Sequence, residues 1–258
     1  MIEITDQLIS SWVSHFLWPF FRLSSFFVLV PILGARLVPT RVRLGLAFMI
    51  TLLIYPALPE MPLLEAVDIQ TFIIILEQIL IGTTLGFIVF AIMQIFILAG
   101  QTISMQMGLG FASMVDPVNG VNVAVLSQWY QVLVTLVYLA INGHLVTLEV
   151  VIQSFQTLPV GQGLFTVESW LTLSEFGAWV FRASLMLALP AVTALLLVNL
   201  TFGVMTRAAP QLNVFALGFP ITMIGGLVIV WVSYSAAAPL VNQFLSVHLE
   251  LMHALIGR

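Results

Sequence analysis

The chain has 258 residues, 61% of them hydrophobic and 7% charged, with a formal net charge of −4 and no cysteine. A soluble domain carries about 25% charged residues, so seven Arg and eleven Asp or Glu cannot coat a soluble monomer. This excludes a free cytosolic enzyme, a disordered tail and, for want of a basic stripe to neutralise phosphates, a nucleic-acid binder; disulfides, thiol chemistry and Cys-ligated metals are excluded as well.

The chain opens with Glu3 and Asp6, and the apolar stretch Trp12 to Leu33 follows. A secretory leader opens with positive charge and has a shorter apolar core, so none is expected. Long charge-free runs dominate the rest: Gln78–Val115, Pro117–Leu148, Ala183–Thr206 and Ala208–Leu249. A membrane helix needs about 20 apolar residues, and strands of a membrane barrel alternate apolar and polar. These runs do not alternate. The expected fold is all-α, a set of membrane helical hairpins, with helices near 11–33, 44–58, 70–99, 118–155, 176–206 and 214–249.

Charge orients these elements. Arg36, Arg41 and Arg43 lie between the first two helices, and Arg207 lies between the last two. The positive-inside rule places both loops in the cytoplasm. Six crossings then put both termini outside. Pro56, Pro59 and Pro62 punctuate the chain after the second helix, and Asp116-Pro117 fits an N-cap followed by proline at the first helical position.

The segment from Gly100 to Gly120, GQTISMQMGLGFASMVDPVNG, fits neither a lipid-facing helix nor an ordinary loop. It is rich in glycine and carries one charge, Asp116. Irregular backbone at membrane depth is tolerated only inside protein or along an aqueous cavity. Two readings remain open: a buried helix–helix turn, or a gate. Met93, Met105, Met107 and Met114 fall within 22 residues that overlap this segment. Adaptable methionines beside glycines suit a seal that must yield, and they equally suit plain apolar packing.

Chemistry-bearing groups are sparse. No HExxH, GxSxG, Walker A or GxGxxG pattern occurs, and His15, His144, His248 and His253 are scattered. No catalytic residue, metal site or cofactor is expected. Ionisable residues within the apolar runs are functional candidates by default: Arg22, Glu77, Glu149 and Arg182. Glu77 and Arg182 would lie at similar depth near the outer ends of their helices, as an ion pair or as separate snorkelling groups. Gln94, Gln101 and Ser104 share one helix face, as do Gln128 and Gln131. Such stripes glue helices together or line a wet passage.

Three stretches together resemble a known family. The first comprises Phe21-Arg22, Pro31, Gly34, Pro39, Arg43, Ala47 and Thr51. The second runs from Gly100-Gln101 through Met107–Ala112 to Asp116-Pro117. The third is Arg207-Ala-Ala-Pro210-Gln-Leu-Asn213 with Gly218-Phe219-Pro220. In order and spacing they resemble the FliR/SpaR/YscT family of type III secretion export-gate subunits, in its flagellar branch, over essentially the whole chain. The resemblance implies a non-enzymatic core subunit that forms a closed pore with FliP and FliQ. It implies contacts to FlhB and FlhA, and passage of unfolded flagellar proteins as cargo. It implies a FliP-like part over 1–175 fused to a FliQ-like hairpin over 176–258. The place would be the bacterial inner membrane at the flagellar basal body, in contact with lipid, with part of the assembly on the periplasmic side. Apolar surface would then face FliP and FliQ as much as lipid. The family's plug maps onto Met105–Pro117: Met105, Met107, Gly108, Leu109, Gly110, Phe111, Ala112, Ser113 and Met114 would occlude the pore, with Asp116 and Pro117 starting the next helix. Arg207, Pro210 and Asn213 would form the cytoplasmic hairpin turn near FlhB. The competing reading is a stand-alone small-solute or ion transporter, but no second broken segment clearly mirrors 100–120.

Overall fold

The computed structural model describes residues 6–35, 37–63, 68–109, 124–163, 165–208 and 218–257. Among these residues every regular element is helical, as expected. Helices α1 (Asp6–Leu29), α2 (Thr40–Ile54), α3 (Ile69–Gln106), α4 (Val125–Ala140), α5 (Gly143–Thr157), α6 (Val167–Ala208) and α7 (Phe219–Leu255) follow in order, with one 3-10 turn at Tyr55–Ala57.

Local chemistry sets the boundaries. α1 stops at Leu29, short of the expected 33, because Val30 precedes Pro31 and the residue before proline disfavours the helical conformation. The following loop is held by Arg43, whose Nη2 donates to the carbonyls of Ala35 and Val38 at 3.0 Å each. α2 begins directly after Pro39, earlier than expected, and tightens into the 3-10 turn at Pro56. Asp68 caps α3: the Thr71 N–H donates to its Oδ1 at 3.0 Å and the Thr71 hydroxyl at 3.1 Å. The backbone bond, then the hydroxyl bond, hold the Asp68 carboxyl below its ordinary pKa. α6 is capped by Thr166, whose Oγ1 accepts the Ser169 N–H at 3.2 Å. Glu168 in its first turn and Arg207 in its last complement the helix dipole.

The expected single helix over 118–155 is instead two. α4 and α5 meet at an angle of 67°. Asn142 sits between them with φ 56°, in the left-handed region that asparagine tolerates. A Cβ on Gly143 would collide with the Tyr138 ring. Across the bend the Tyr138 and Thr147 hydroxyls lie 2.7 Å apart.

Three of the described helical stretches are long and apolar enough to cross a membrane: Thr40–Ala57, Ile69–Gln106 and Val167–Ala208. The bent α4–α5 pair makes a fourth if it counts as one span. The six crossings expected from the sequence therefore reduce to three or four among the described residues. α1 falls out because Ser10, Ser11, Ser14, His15, Arg22, Ser24 and Ser25 dilute its hydropathy, and the described apolar run of α7 is only Phe219–Val232.

The chain packs as two compact units, both discontinuous in sequence. Unit 1 is Met1–Ala91, Tyr138–Ser174 and Val247–Arg258; unit 2 is Ile92–Val137 and Glu175–Ser246. This division by packing is a different kind of partition from the boundary at 175/176 that the resemblance implies. In unit 1, α1 packs on α3 across Gly82 and Gly86. A Cβ on Gly82 would overlap the Arg22 carbonyl oxygen and the Ser25 hydroxyl, and one on Gly86 would lie 2.8 Å from the Phe26 carbonyl oxygen. Small residues four apart let helix backbones approach closely. In unit 2, Phe244 packs edge-on to Trp179 and Phe96, with ring centroids 5.5 and 6.3 Å away. Much of α6 and α7 presents exposed apolar side chains, among them Phe181, Leu185, Leu189, Leu196, Leu200, Ile224 and Trp231. Soluble monomers rarely carry such continuous apolar surface; it calls for lipid or protein cover.

Candidate functional site

The site expected at Met105–Pro117 is described as far as Leu109. Gly110, Phe111, Ala112, Ser113, Met114, Asp116 and Pro117 lie outside the described residues, as do Pro210 and Asn213 of the hairpin turn. The segment expected to be irregular from Gly100 onward instead stays helical to Gln106, so Met105 stands on α3, 63% exposed.

The way α3 ends explains the next glycine. Leu109 N–H donates to Ser104 O at 3.0 Å, and Gly108 N–H donates to Met105 O at 3.1 Å. This pair of bonds is the Schellman motif, which puts the residue between them in the left-handed region. Gly108 is that residue, at φ +82°. A glycine there avoids the strain a side chain would bring.

Two carbonyls at this terminus find partners on other helices. Asn199 Nδ2 of α6 donates to Gln106 O at 3.2 Å. Thr222 Oγ1 of α7 is shared between Phe219 O at 3.0 Å and Met107 O at 3.4 Å. The Met107 side chain is fully buried and lies on Gly226, where a Cβ would come within 2.6 Å of its Cγ. Beside it, Met107, Leu109, Leu126, Trp129, Leu227 and Trp231 line part of an apolar cavity of about 510 Å³.

The polar stripe on α3 splits. Gln101 Oε1 accepts the Ala124 N–H at 3.2 Å and the Ser127 hydroxyl at 3.3 Å, so it satisfies the start of α4. Gly100 allows that approach: a Cβ there would lie 2.7 Å from Ser127 Cα. Here the stripe is glue. Gln94 is half-buried; Ser104 is buried and its hydroxyl has no partner among the described residues. Gln128 and Gln131 face outward on α4.

The ionisable candidates separate between units. Arg22 is fully buried in unit 1. Its Nε donates to Gln78 Oε1, its Nη1 to Ser154 Oγ and its Nη2 to Leu158 O, each at 2.9 Å. Its guanidinium carbon stands 4.1 Å from the centroid of the Phe155 ring. Glu77, on α3, is half-buried and belongs to the same unit. Of Glu77 and Arg182, expected as an ion pair or as separate snorkelling groups, Arg182 is exposed and belongs to unit 2, as does exposed Arg207 at the end of α6. Among the described residues no group of three or more His, Cys, Asp or Glu could hold a metal ion.

Reasoning from sequence missed Asn199, Thr222, Gly226, Gln78 and Ser154. It also missed Gly82 and Gly86, which alone left a readable trace as a GxxxG pattern inside an apolar run.

Known proteins resemble the chain along nearly its whole length. The family model described as bacterial export proteins, family 1, matches residues 13–247. The flagellar biosynthetic protein FliR of Escherichia coli (strain K12) is 38% identical over 247 residues, spanning 95% of this chain and 92% of that protein. The protein of the same name from Bacillus subtilis (strain 168) is 31% identical over 246 residues, 94% of each chain. The surface presentation of antigens protein SpaR of Shigella sonnei is 26% identical over 217 residues, 84% of this chain and 83% of that protein.

Proposed function

Because the chain belongs to the bacterial export proteins, family 1, we propose that it is an inner-membrane component of flagellar type III protein export, a non-enzymatic core subunit of the export gate. The observation that carries this reading is the 38% identity to a flagellar biosynthetic protein across 95% of the chain. The finer reading is a closed pore built with FliP and FliQ, adjoining FlhB and FlhA, through which unfolded flagellar proteins pass. The apolar faces of α6 and α7 support it, since sister subunits would cover them as well as lipid does. Part of the assembly would stand on the periplasmic side, with 1–175 as the FliP-like part and 176–258 as the FliQ-like hairpin.

Within that pore the segment Met105–Pro117 is the plug. The sharp glycine-capped end of α3 supports this reading: Gly108 stops the helix and releases the chain where a bulky, adaptable Met-Gly sequence begins. The test is co-expression of the full chain with FliP and FliQ, purification of the assembly, and reconstitution into vesicles loaded with a small fluorophore. Deletion of Gly108–Met114 is expected to leave assembly intact and raise leak. A deletion complex as tight as the parent would remove the plug. Failure of FliP and FliQ to co-purify with the intact chain would remove the pore.

A further inference from the structure

We propose that Asn199, Thr222 and Gly226 form the seat that holds the end of α3 in its closed position and are positioning residues of the gate; the inference rests on the plug reading above. A helix C-terminus leaves its last carbonyls without intrahelical partners. In apolar surroundings an unpaired carbonyl is costly. Here Gln106 O is taken by Asn199 Nδ2 and Met107 O by the Thr222 hydroxyl. Both donors come from the α6–α7 hairpin, far from α3 in sequence.

The same hairpin supplies the notch for Met107. A Cβ at Gly226 would stand 2.6 Å from Met107 Cγ, 2.8 Å from Cε and 2.9 Å from Sδ. Gly226 is therefore required by shape, and any side chain there displaces Met107. Phe219 closes the other side, with its Cδ2 3.2 Å from where a Cβ on Gly108 would stand. The hold consists of two long hydrogen bonds and one flexible side chain in a glycine notch. Each part is weak, and all are lost together if the hairpin shifts along the α3 terminus. The position of the α6–α7 hairpin thus fixes the described root of the plug, Met105–Leu109.

The experiment uses the same reconstituted complex and reads fluorophore leak per assembled particle alongside the yield of assembly. Gly226→Ala is expected to raise leak. Met107→Ala empties the same notch and is expected to raise leak as well, and the double variant should leak no more than the leakier single variant, the non-additivity expected of contacting residues. Asn199→Leu keeps the shape, removes the donor and should raise leak by about fivefold, the population shift that one net hydrogen bond governs. Assembled Gly226→Ala particles as tight as the parent overturn the proposal. If Gly226→Ala prevents assembly, Asn199→Leu decides: leaky particles support the seat, while tight particles or loss of assembly overturn it. The failures are distinguishable. A tight Gly108–Met114 deletion removes the plug itself, whereas a leaky deletion beside tight Gly226→Ala and Asn199→Leu particles removes only the seat.

Discussion

Arg22 in unit 1 and Met107 in unit 2 are both fully buried, and each ties α3 to other helices, yet they are held by opposite means. Arg22 spends all three guanidinium nitrogens on fixed acceptors at 2.9 Å and stacks on Phe155. Met107 rests on shape, with its carbonyl in a 3.4 Å contact to Thr222. A buried charge-assisted network is strong and all-or-none, because a missing member leaves the rest unsatisfied. A soft side chain in a glycine notch is cheap to displace. One arrangement suits a fixed hub; the other suits a part that must let go.

The largest expected effect falls on Arg22. Arg22→Met strips the Gln78, Ser154 and Leu158 acceptors of their donor. Each buried acceptor left unsatisfied costs about 1–3 kcal/mol, so the variant should express poorly and lose its thermal transition in detergent. Arg22→Lys should rescue little. A lysine keeps the charge but cannot reach three acceptors held by a planar fork. Full rescue by lysine would show that the hub needs only charge, and the contrast with Met107 would weaken.

Next in size is a matched pair of glycine substitutions. Gly82→Ala sets a methyl against the Arg22 backbone oxygen, which cannot yield without separating α1 from α3. Gly226→Ala sets the same methyl against the Met107 side chain, which can swing aside. Overpacking costs about 1–3 kcal/mol, and Gly82→Ala should fall at the upper end and lower the unfolding midpoint. Gly226→Ala should move the midpoint much less. Equal losses of stability at both sites would erase the distinction between a rigid hub and a yielding notch.

How much of this was legible beforehand differs by element. Composition and charge-free runs foretold an all-helical membrane protein, because a shortage of charge is a property of the whole chain. The bend at Asn142 had a local signal, since Asn-Gly marks a turn, but the continuous apolar run around it masked the break. Gly82 and Gly86 were likewise readable as a helix-packing pattern. Asn199 and Thr222 carried no such sign. Their partners are 93 and 115 residues away, and neutral polar residues in apolar helices look alike until tertiary packing pairs them. The Arg22 hub shows the same limit: the lone arginine stood out, but Ser154 lies 132 residues off.

The smallest effect is expected at Gln101, which tests whether the polar stripe on α3 belongs with the fixed parts or the moving ones. Its Oε1 accepts from Ala124 N–H and the Ser127 hydroxyl, so it holds α4 against α3 just before the Met107 terminus. Gln101→Leu removes an acceptor from two donors; a net hydrogen bond is worth about 1 kcal/mol, and the unfolding midpoint should fall modestly. If Gln101 is glue, vesicle leak should stay at the parent level while stability drops. A wet passage predicts the reverse: an apolar side chain in its wall would change permeation and leave the midpoint alone. The geometry favours glue, because both contacts of Oε1 are spent on the neighbouring helix and none is left facing a channel. Unchanged leak with a lower midpoint would place Gln101 with Arg22 among the fixed parts, leaving release to Met107 and its glycine notch.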